Sequence, residues 1–174
     1  MAELLRKDYV QTVIMILIVI VIYLGLWYGL TAALKTNHPL FAVASGSMKP
    51  TLQVGDLIVV QGLNASEINA NYSNGDIIVF RKPTNPRDLI VHRAVEEKLD
   101  GDTWSFRTKG DNNSGADPWW VSEKDLIGKV IGPSVPLLGY AFLFMQAPIG
   151  MLIVVAVMLV SILIGYISFS EKTD

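Results

Sequence analysis

An uncharged run of 26 residues, from Tyr9 to Leu34, constrains the fold of this chain more than any other feature of its sequence. The run is rich in Ile, Val and Leu. At about 1.5 Å per residue, a helix of this length exceeds the roughly 30 Å hydrocarbon core of a bilayer. Tyr23, Trp27 and Tyr28 lie toward its distal end, where aromatic rings favour the membrane interface. The sequence therefore predicts a transmembrane helix over residues 9–34.

A cleaved signal peptide is the competing interpretation of the same run. Arg6 and Lys7 precede the apolar core, and Thr31-Ala32-Ala33 offers small residues near its end. The hydrophobic region of a signal peptide spans only about 7–15 residues, however, so the length favours a retained anchor. Arg6 and Lys7 also flank the run on its short side, which favours a cytoplasmic tail over residues 1–8.

A second uncharged block runs from Ile149 to Phe169, before a short tail over residues 170–174. Its length predicts a second spanning helix. The apolar segment from Val135 to Met145 lies among prolines, so we expect it at the interface or in the core rather than as a third span. Two spans would leave both tails in the cytoplasm. Residues 35–148 would then form the extracytoplasmic domain of a two-span protein of the cell membrane.

The region between the two blocks is mixed in charge. Lys35 to Lys129 contains 11 Lys or Arg and 12 Asp or Glu, without a basic stripe, so we expect no nucleic-acid partner. The chain has no cysteine, which excludes disulfides, a thiol nucleophile and thiolate metal sites. The sequence displays no cluster of metal ligands and no phosphate loop, and we predict no cofactor.

Strand patterns dominate this middle region. Runs rich in β-branched residues cover 53–61, 76–80, 89–99, 103–109 and 126–131. Asn74-Gly75 and Asp100-Gly101 provide turn signals between them, and Ala65 to Tyr72 could hold a short helical turn. We therefore assign a mostly β fold class, with a small β-sheet domain between an N-terminal and a C-terminal transmembrane helix.

A serine-bearing turn, Ser45 to Thr51, follows the first apolar run by about ten residues. A serine hydroxyl becomes a good nucleophile only when a base takes its proton, which a neutral imidazole does well near pH 7. The sequence has two histidines, and we interpret His38, near the membrane exit, as structural. His92 is therefore the candidate base for Ser47. Lys49, beside the serine in the same turn, is the weaker candidate.

A hairpin centred on Asp100-Gly101 would place His92 opposite a position between Lys109 and Asp111. The imidazole would then lie near a loop that carries Asp111 at one end and Asp117 at the other. A carboxylate on the second ring nitrogen fixes the tautomer of a catalytic histidine and stabilises its charged form. Either aspartate could be this carboxylate, and the hairpin does not favour one over the other.

Three blocks of the sequence resemble those of type I signal peptidases, serine peptidase family S26, in the branch found in archaea and the endoplasmic reticulum. Ser45 to Leu52 is similar to the serine box of this family. Ile90 to Ala94 is similar to the block in which this branch carries histidine and the typical bacterial branch carries lysine. Lys109 to Asn113, followed by Asp117, resembles the acidic block. The blocks occur in the family's order, within a region of resemblance from Phe41 to Pro148.

The resemblance implies a membrane-bound serine endopeptidase that removes N-terminal signal peptides from secreted preproteins after small residues, at Ala-x-Ala-like sites. It implies Ser47 as the nucleophile, His92 as the proton shuttle and Asp117 as the carboxylate that orients His92. Asp111 would be a supporting carboxylate. The Ser47 backbone N–H and the Ser45 hydroxyl would form the oxyanion hole.

The resemblance also implies a substrate that lies extended along a strand edge, with shallow apolar pockets for Ala-like residues. Four candidate contacts lie in the segments 41–44 and 76–80: Phe41, Val43, Ala44 and Ile78. The expected partners are signal-peptide-bearing preproteins and membrane lipid, with secretion machinery or accessory subunits as further candidates. Two alternatives stay open: a self-processing membrane regulator that cleaves only its own chain, and a non-catalytic membrane subunit.

Overall fold

The computed structural model describes residues 2–153, 155–157 and 160. Two compact units can be distinguished: one comprises Leu30–Leu143, and the other the described parts of Met1–Gly29 and Phe144–Asp174. The helices are α1 (Ala2–Leu34) and α2 (Leu138–Gln146), and the strands are β1 (Leu40–Ala42), β2 (Leu57–Gln61), β3 (Ile77–Lys82), β4 (Asn85–Asp100), β5 (Thr103–Lys109), β6 (Trp120–Ser122) and β7 (Leu126–Val135). Single 3₁₀ turns lie at Gly46–Met48, Ala65–Glu67 and Glu123–Asp125.

The first apolar run is helical, as its composition predicts. Within α1, Ile14–Leu34 is long and apolar enough to cross a membrane, and no part of this span is buried by other parts of the protein. In the part of the chain that the structure describes, it is the only single helix of this kind. Leu138–Met145 and Pro148–Val157 would qualify together, but they are bent by 77° at their break.

The predicted second span, residues 149–169, lies largely outside the described residues. Its positions 154, 158, 159 and 161–169 are among those not described, as is the whole tail 170–174. The predicted cytoplasmic tail, residues 1–8, is helical from Ala2 onward because α1 begins there.

The seven strands form one antiparallel sheet in the order β1-β2-β7-β3-β4-β5-β6. The last strand, β7, inserts between β2 and β3, where it pairs with both. Each of the five predicted strand runs overlaps one of these strands, and β3, β4 and β7 extend beyond their predicted bounds. β1 and β6, at the two edges, were not predicted. Helix and strand contents are about equal over the described chain because α1 alone contributes 33 residues. The mostly β assignment therefore fits the unit Leu30–Leu143 rather than the chain as a whole.

The sheet carries apolar clusters formed by alternating residues of its central strands. Successive side chains of a strand point to opposite faces, so Val79 joins one cluster while its neighbours Ile78 and Phe80 join the other. The first cluster contains Val43, Met48, Leu52, Ile58, Val60, Val79 and Val91. The second contains Ile68, Ile78, Phe80, Ala94, Phe106 and Val121. Burial on both faces explains the nearly continuous apolar runs of β2 and β3.

The β4–β5 hairpin sets the geometry of the site described next. Its register pairs Asp100 with Thr103 and Arg93 with Lys109. One irregularity, between Ala94 and Glu96, shifts the pairing within the hairpin. The register confirms the prediction that His92 lies close to the Gly110 end of β5.

Candidate active site

The serine turn is fixed by its backbone and by one buried side chain. Ser47 lies in the 3₁₀ turn Gly46–Met48, and Met48 is only 1% exposed within the first apolar cluster. The Lys49 N–H donates to the Gly46 carbonyl at 3.2 Å, and the Leu52 N–H donates to the Met48 carbonyl at 3.0 Å. The buried methionine therefore holds the turn against the sheet while the Ser47 hydroxyl stays partly exposed.

His92 lies on β4, directly opposite Ile78 of β3, and is 7% exposed. Its Nε2 is 3.1 Å from the Ser47 Oγ, and its Nδ1 is 2.7 Å from an Asp117 carboxylate oxygen. An ionised carboxylate only accepts, so Nδ1 carries the proton and Nε2 accepts from the Ser47 hydroxyl. The Phe80 ring packs edge-on against the imidazole, with 6.5 Å between ring centroids. Both ring nitrogens of His92 are thus occupied in a single orientation.

Asp117 is held by a residue that the sequence reasoning missed. The buried Thr108 hydroxyl donates to the same Asp117 oxygen at 2.6 Å, and the Asp117 N–H donates to the Thr108 carbonyl at 2.7 Å. Thr108 follows Phe106 in the inward-facing row of β5. A polar side chain in an otherwise apolar row was the signal that could have found it, since buried hydroxyls need a partner.

Asp111 has a different partner. Its two oxygens accept from Arg93 Nε at 2.9 Å and Arg93 Nη2 at 2.7 Å. The Thr51 hydroxyl donates to it at 2.5 Å, and Arg93 Nη1 donates to the Gly75 carbonyl at 2.6 Å. The hairpin prediction left open which aspartate contacts His92. In the structure Asp117 makes this contact, whereas Asp111 links β4 to the serine box.

The pKa of Asp111 reflects this environment. Partial burial alone would raise it, but the hydrogen bonds from Arg93 and Thr51, with the charges of Arg93 and Lys109, outweigh burial and hold the pKa below its ordinary value. The hydrogen bonds to Asp111 in turn raise the pKa of the Arg93 guanidinium above its ordinary value, against the opposing effect of burial. Both groups are therefore charged at neutral pH.

The loop that carries both aspartates is bonded to the serine turn. The Asn112 N–H donates to the Ser47 carbonyl at 2.8 Å, and the Asn112 side-chain amide donates to the Gly46 carbonyl at 3.3 Å. A Cβ on Gly110 would lie only 2.7 Å from the Ser47 carbonyl oxygen, so glycine permits this close approach. The serine turn and the acidic loop, residues 111–117, are therefore held together by hydrogen bonds to the backbone of the turn.

The residues predicted to form the oxyanion hole and to contact substrate differ in their exposure to solvent. The Ser45 hydroxyl is exposed and lies 3.2 Å from the Ser47 hydroxyl. Phe41, on the edge strand β1, is partly exposed, and Ala44, just after this strand, is exposed, but Val43 is buried. Ile78 is fully buried, and its strand β3 pairs on both sides. Of the two predicted walls, only the segment 41–44 therefore adjoins a free sheet edge. Within the described residues, no group of three or more His, Asp or Glu side chains could hold a metal ion.

A serine, an imidazole and a carboxylate in one hydrogen-bonded line form the arrangement with which serine hydrolases activate their nucleophile. The family described as "Signal peptidase, peptidase S26" matches residues 7–111 of this chain. The chain belongs to this signal peptidase family, peptidase S26. The matched region includes Ser47, His92 and Asp111 but ends before Asp117.

The curated relatives carry consistent names. "Signal peptidase complex catalytic subunit SEC11" of Metarhizium robertsii is 33% identical over 129 residues, which cover 70% of this chain and 72% of the relative. The protein of the same name from Lachancea thermotolerans is 36% identical over 124 residues, 66% of this chain and 70% of the relative. Human "Signal peptidase complex catalytic subunit SEC11C" is 35% identical over 133 residues, 71% of this chain and 65% of the relative.

Proposed function

We propose that this chain is a membrane-anchored serine endopeptidase that removes signal peptides from preproteins and cleaves after small residues. The observation that carries the proposal is the position of His92, which bridges Ser47 and Asp117 through its two ring nitrogens at 3.1 and 2.7 Å. Membership of the signal peptidase family supplies the substrate class.

The chemistry follows from these contacts. Ser47 Oγ attacks the scissile carbonyl as its proton passes to His92 Nε2, and Asp117 stabilises the resulting imidazolium through Nδ1–H. His92 then protonates the leaving amine of the mature chain, and a water activated by the same nitrogen hydrolyses the acyl-enzyme. The Ser45 hydroxyl and the Ser47 backbone N–H would donate to the oxyanion. Asp117 lies beyond the residues that the family matches, and its proposed role is supported by its 2.7 Å contact with His92 Nδ1.

The substrate is proposed to add as an extended strand along the free edge of β1. Main-chain hydrogen bonds would hold it, and pockets beside Phe41 and Ala44 would receive small side chains. Val43 is buried in the same apolar cluster against which Phe41 packs, so it would contribute the floor beneath these pockets rather than an open wall. Ile78 belongs to the other cluster, so it would not line them.

The membrane arrangement belongs to the proposal as well. Residues 9–34 would anchor the catalytic domain, residues 35–148, on the extracytoplasmic face, and residues 149–169 would form a second span. The relatives are named as catalytic subunits of a signal peptidase complex, so accessory subunits are proposed as partners, together with membrane lipid and the secretion machinery. An endoplasmic-reticulum-type enzyme fits these names best.

The test is cleavage of a purified preprotein with an Ala-x-Ala site, in detergent or lipid. Ser47→Ala and His92→Ala should each lower the rate by about 10⁴-fold or more, because nucleophile and base act as one unit. Asp117→Asn should lower it by about 10³-fold or more, since the negative charge that stabilises the imidazolium is lost and the Asn amide can donate to Nδ1, which favours the wrong tautomer of His92. Thermal unfolding of each variant, measured alongside, distinguishes a loss of catalysis from a loss of folded protein.

A second measurement separates this proposal from its alternatives. A serine-reactive phosphonate should label the unmodified protein and leave Ser47→Ala unlabelled. Full activity of His92→Ala would contradict the proposed base. A protein that cuts only its own chain and ignores added preprotein would instead be a self-processing regulator.

A further inference from the structure

Lys49 places a positive charge beside the candidate nucleophile. It lies two residues beyond Ser47, and its side chain is exposed. Its Cδ and Cε lie 3.6 Å from where a Cβ on Gly46 would be, so the aliphatic stem crosses the serine turn. Among the described residues, its ammonium forms no ion pair with a carboxylate.

Asp111, the carboxylate that contacts the serine box, does not neutralise this charge. Asp111 is engaged by Arg93 and by the Thr51 hydroxyl. Asn112, which flanks Gly46 on the loop side, contributes an uncharged amide. Among the described residues, Lys49 therefore places a positive charge at the exposed rim of the serine turn that no ion pair neutralises, and such a charge attracts an anion from outside.

The layout of the turn indicates which part of a substrate meets this charge. The segment before Ser47, residues 41–44, adjoins the free edge of β1, where the proposed function places the small residues that precede the scissile bond. The chain beyond the scissile bond then continues past the serine turn, where Lys49 lies. A signal peptide presents an apolar region and small residues before its cleavage site. Anionic side chains are therefore expected mainly after that site.

We propose that Lys49 makes this enzyme prefer substrates that carry Asp or Glu among the first residues of the mature chain. This inference rests on the proposed function and adds a specificity residue to it. The ammonium lies at an exposed rim, so the contact is a solvated ion pair of modest strength. It acts on the ratio of kcat/KM between substrates rather than on the chemical step.

The test uses a series of peptides that share one Ala-x-Ala signal segment. They carry Asp, Asn or Lys in turn at each of the first four positions after the cleavage site. At low ionic strength and in uncharged detergent, kcat/KM for the best Asp peptide should exceed that of the Lys peptide by about two- to fivefold. Added salt should bring this ratio toward one because the charges are solvent-exposed.

Variants of the lysine give the sharper comparison. Lys49→Met should reduce the Asp-to-Lys ratio to about one, and Lys49→Glu should invert it. Each ratio is taken within one variant, so a general change in activity cancels. Lys124→Met is the matched control, because it removes an exposed lysine from the 3₁₀ turn Glu123–Asp125 and should leave the ratio as in the unmodified protein.

The outcomes separate this inference from the function on which it depends. Cleavage that requires Ser47 but shows equal kcat/KM for Asp and Lys peptides overturns the inference and leaves the function intact. A response to Lys49→Met that appears only when anionic lipid is added also overturns it, since the lysine then serves the membrane. No cleavage of any peptide or preprotein overturns the proposed function and the inference with it.

Discussion

Asp111 and Asp117 lie at the two ends of one loop, and each contacts a different part of the candidate site. Asp117 contacts one ring nitrogen of His92, the proposed proton-transferring group. Asp111 meets Arg93 and Thr51, which belong to β4 and to the serine box. We therefore propose Asp111 as a positioning residue whose loss should affect folding stability as well as rate.

Asp111→Asn should lower the free energy of unfolding by about 2 kcal/mol at neutral pH, because it breaks a charged pair that is largely shielded from water. The folded-state pKa of Asp111 lies below its ordinary value of 3.8, so its contribution is complete above that pH and declines as the pH falls through the folded value. The stability gap between the two proteins should therefore be constant near neutrality and narrow below about pH 4.

Chemical denaturation in detergent, from neutral pH to about pH 3, measures this gap. Asp88→Asn is a suitable control, because Asp88 is exposed and the change should alter stability by less than about 0.5 kcal/mol. A gap that widens on acidification would contradict the proposed role of the Arg93–Asp111 pair.

Two contacts of the site could not be foreseen from single residues. The Arg93–Asp111 pair joins the middle of β4 to the loop after β5, and the Thr108 hydroxyl on β5 donates to Asp117 at the far end of that loop. Both depend on side-chain direction as well as on register. The register itself was predictable, since the Asp100-Gly101 turn fixes how β4 and β5 face each other.

At the scale of elements, the close contact between the acidic loop and the serine turn depends on Gly110. A Cβ at this position would lie 2.7 Å from the Ser47 carbonyl, where ordinary contacts are 3.4–4 Å. Gly110→Ala should therefore move the loop by several tenths of an ångström and lower kcat/KM by about tenfold or more, because catalytic geometry tolerates little displacement.

The matched control is Gly115→Ala in the same loop. A Cβ on Gly115 would meet nothing within 4 Å, so the same substitution should leave kcat/KM within about twofold of the unmodified value. Steady-state cleavage of one reference peptide, with thermal unfolding measured alongside, makes the comparison. Equal losses in both variants would show that general loop stiffening, rather than the contact with Ser47, is responsible.

The elements that the sequence did not reveal are those held by distant partners. β5 has the predicted bounds Thr103–Lys109, because its residues alternate and a turn precedes it. β1 and β6 have three residues each and exist through pairing with β2 and β5. The insertion of β7 between β2 and β3 likewise depends on pairing between residues distant in sequence, and no local pattern predicts it.

For the whole molecule, the open question is how many times the chain crosses the membrane. The absence of cysteine makes this measurable, because any introduced cysteine is the only thiol in the protein. Ala2→Cys, Thr84→Cys and Lys172→Cys would mark the N-terminal tail, the β3–β4 turn and the C-terminal tail. Labelling each in sealed vesicles with a membrane-impermeant maleimide reports the side of the membrane on which it lies.

Two spans predict that Ala2→Cys and Lys172→Cys are labelled from the same side and Thr84→Cys from the other. With a single span, Lys172→Cys would instead be labelled together with Thr84→Cys. Arg6 and Lys7 favour a cytoplasmic N-terminus, so Thr84→Cys should react from the extracytoplasmic side, where exported preproteins present their cleavage sites. Cleavage activity retained by each variant serves as the control for folding. Labelling of Thr84→Cys from the cytoplasmic side would place Ser47 on the wrong face for this substrate class and would contradict the proposed function.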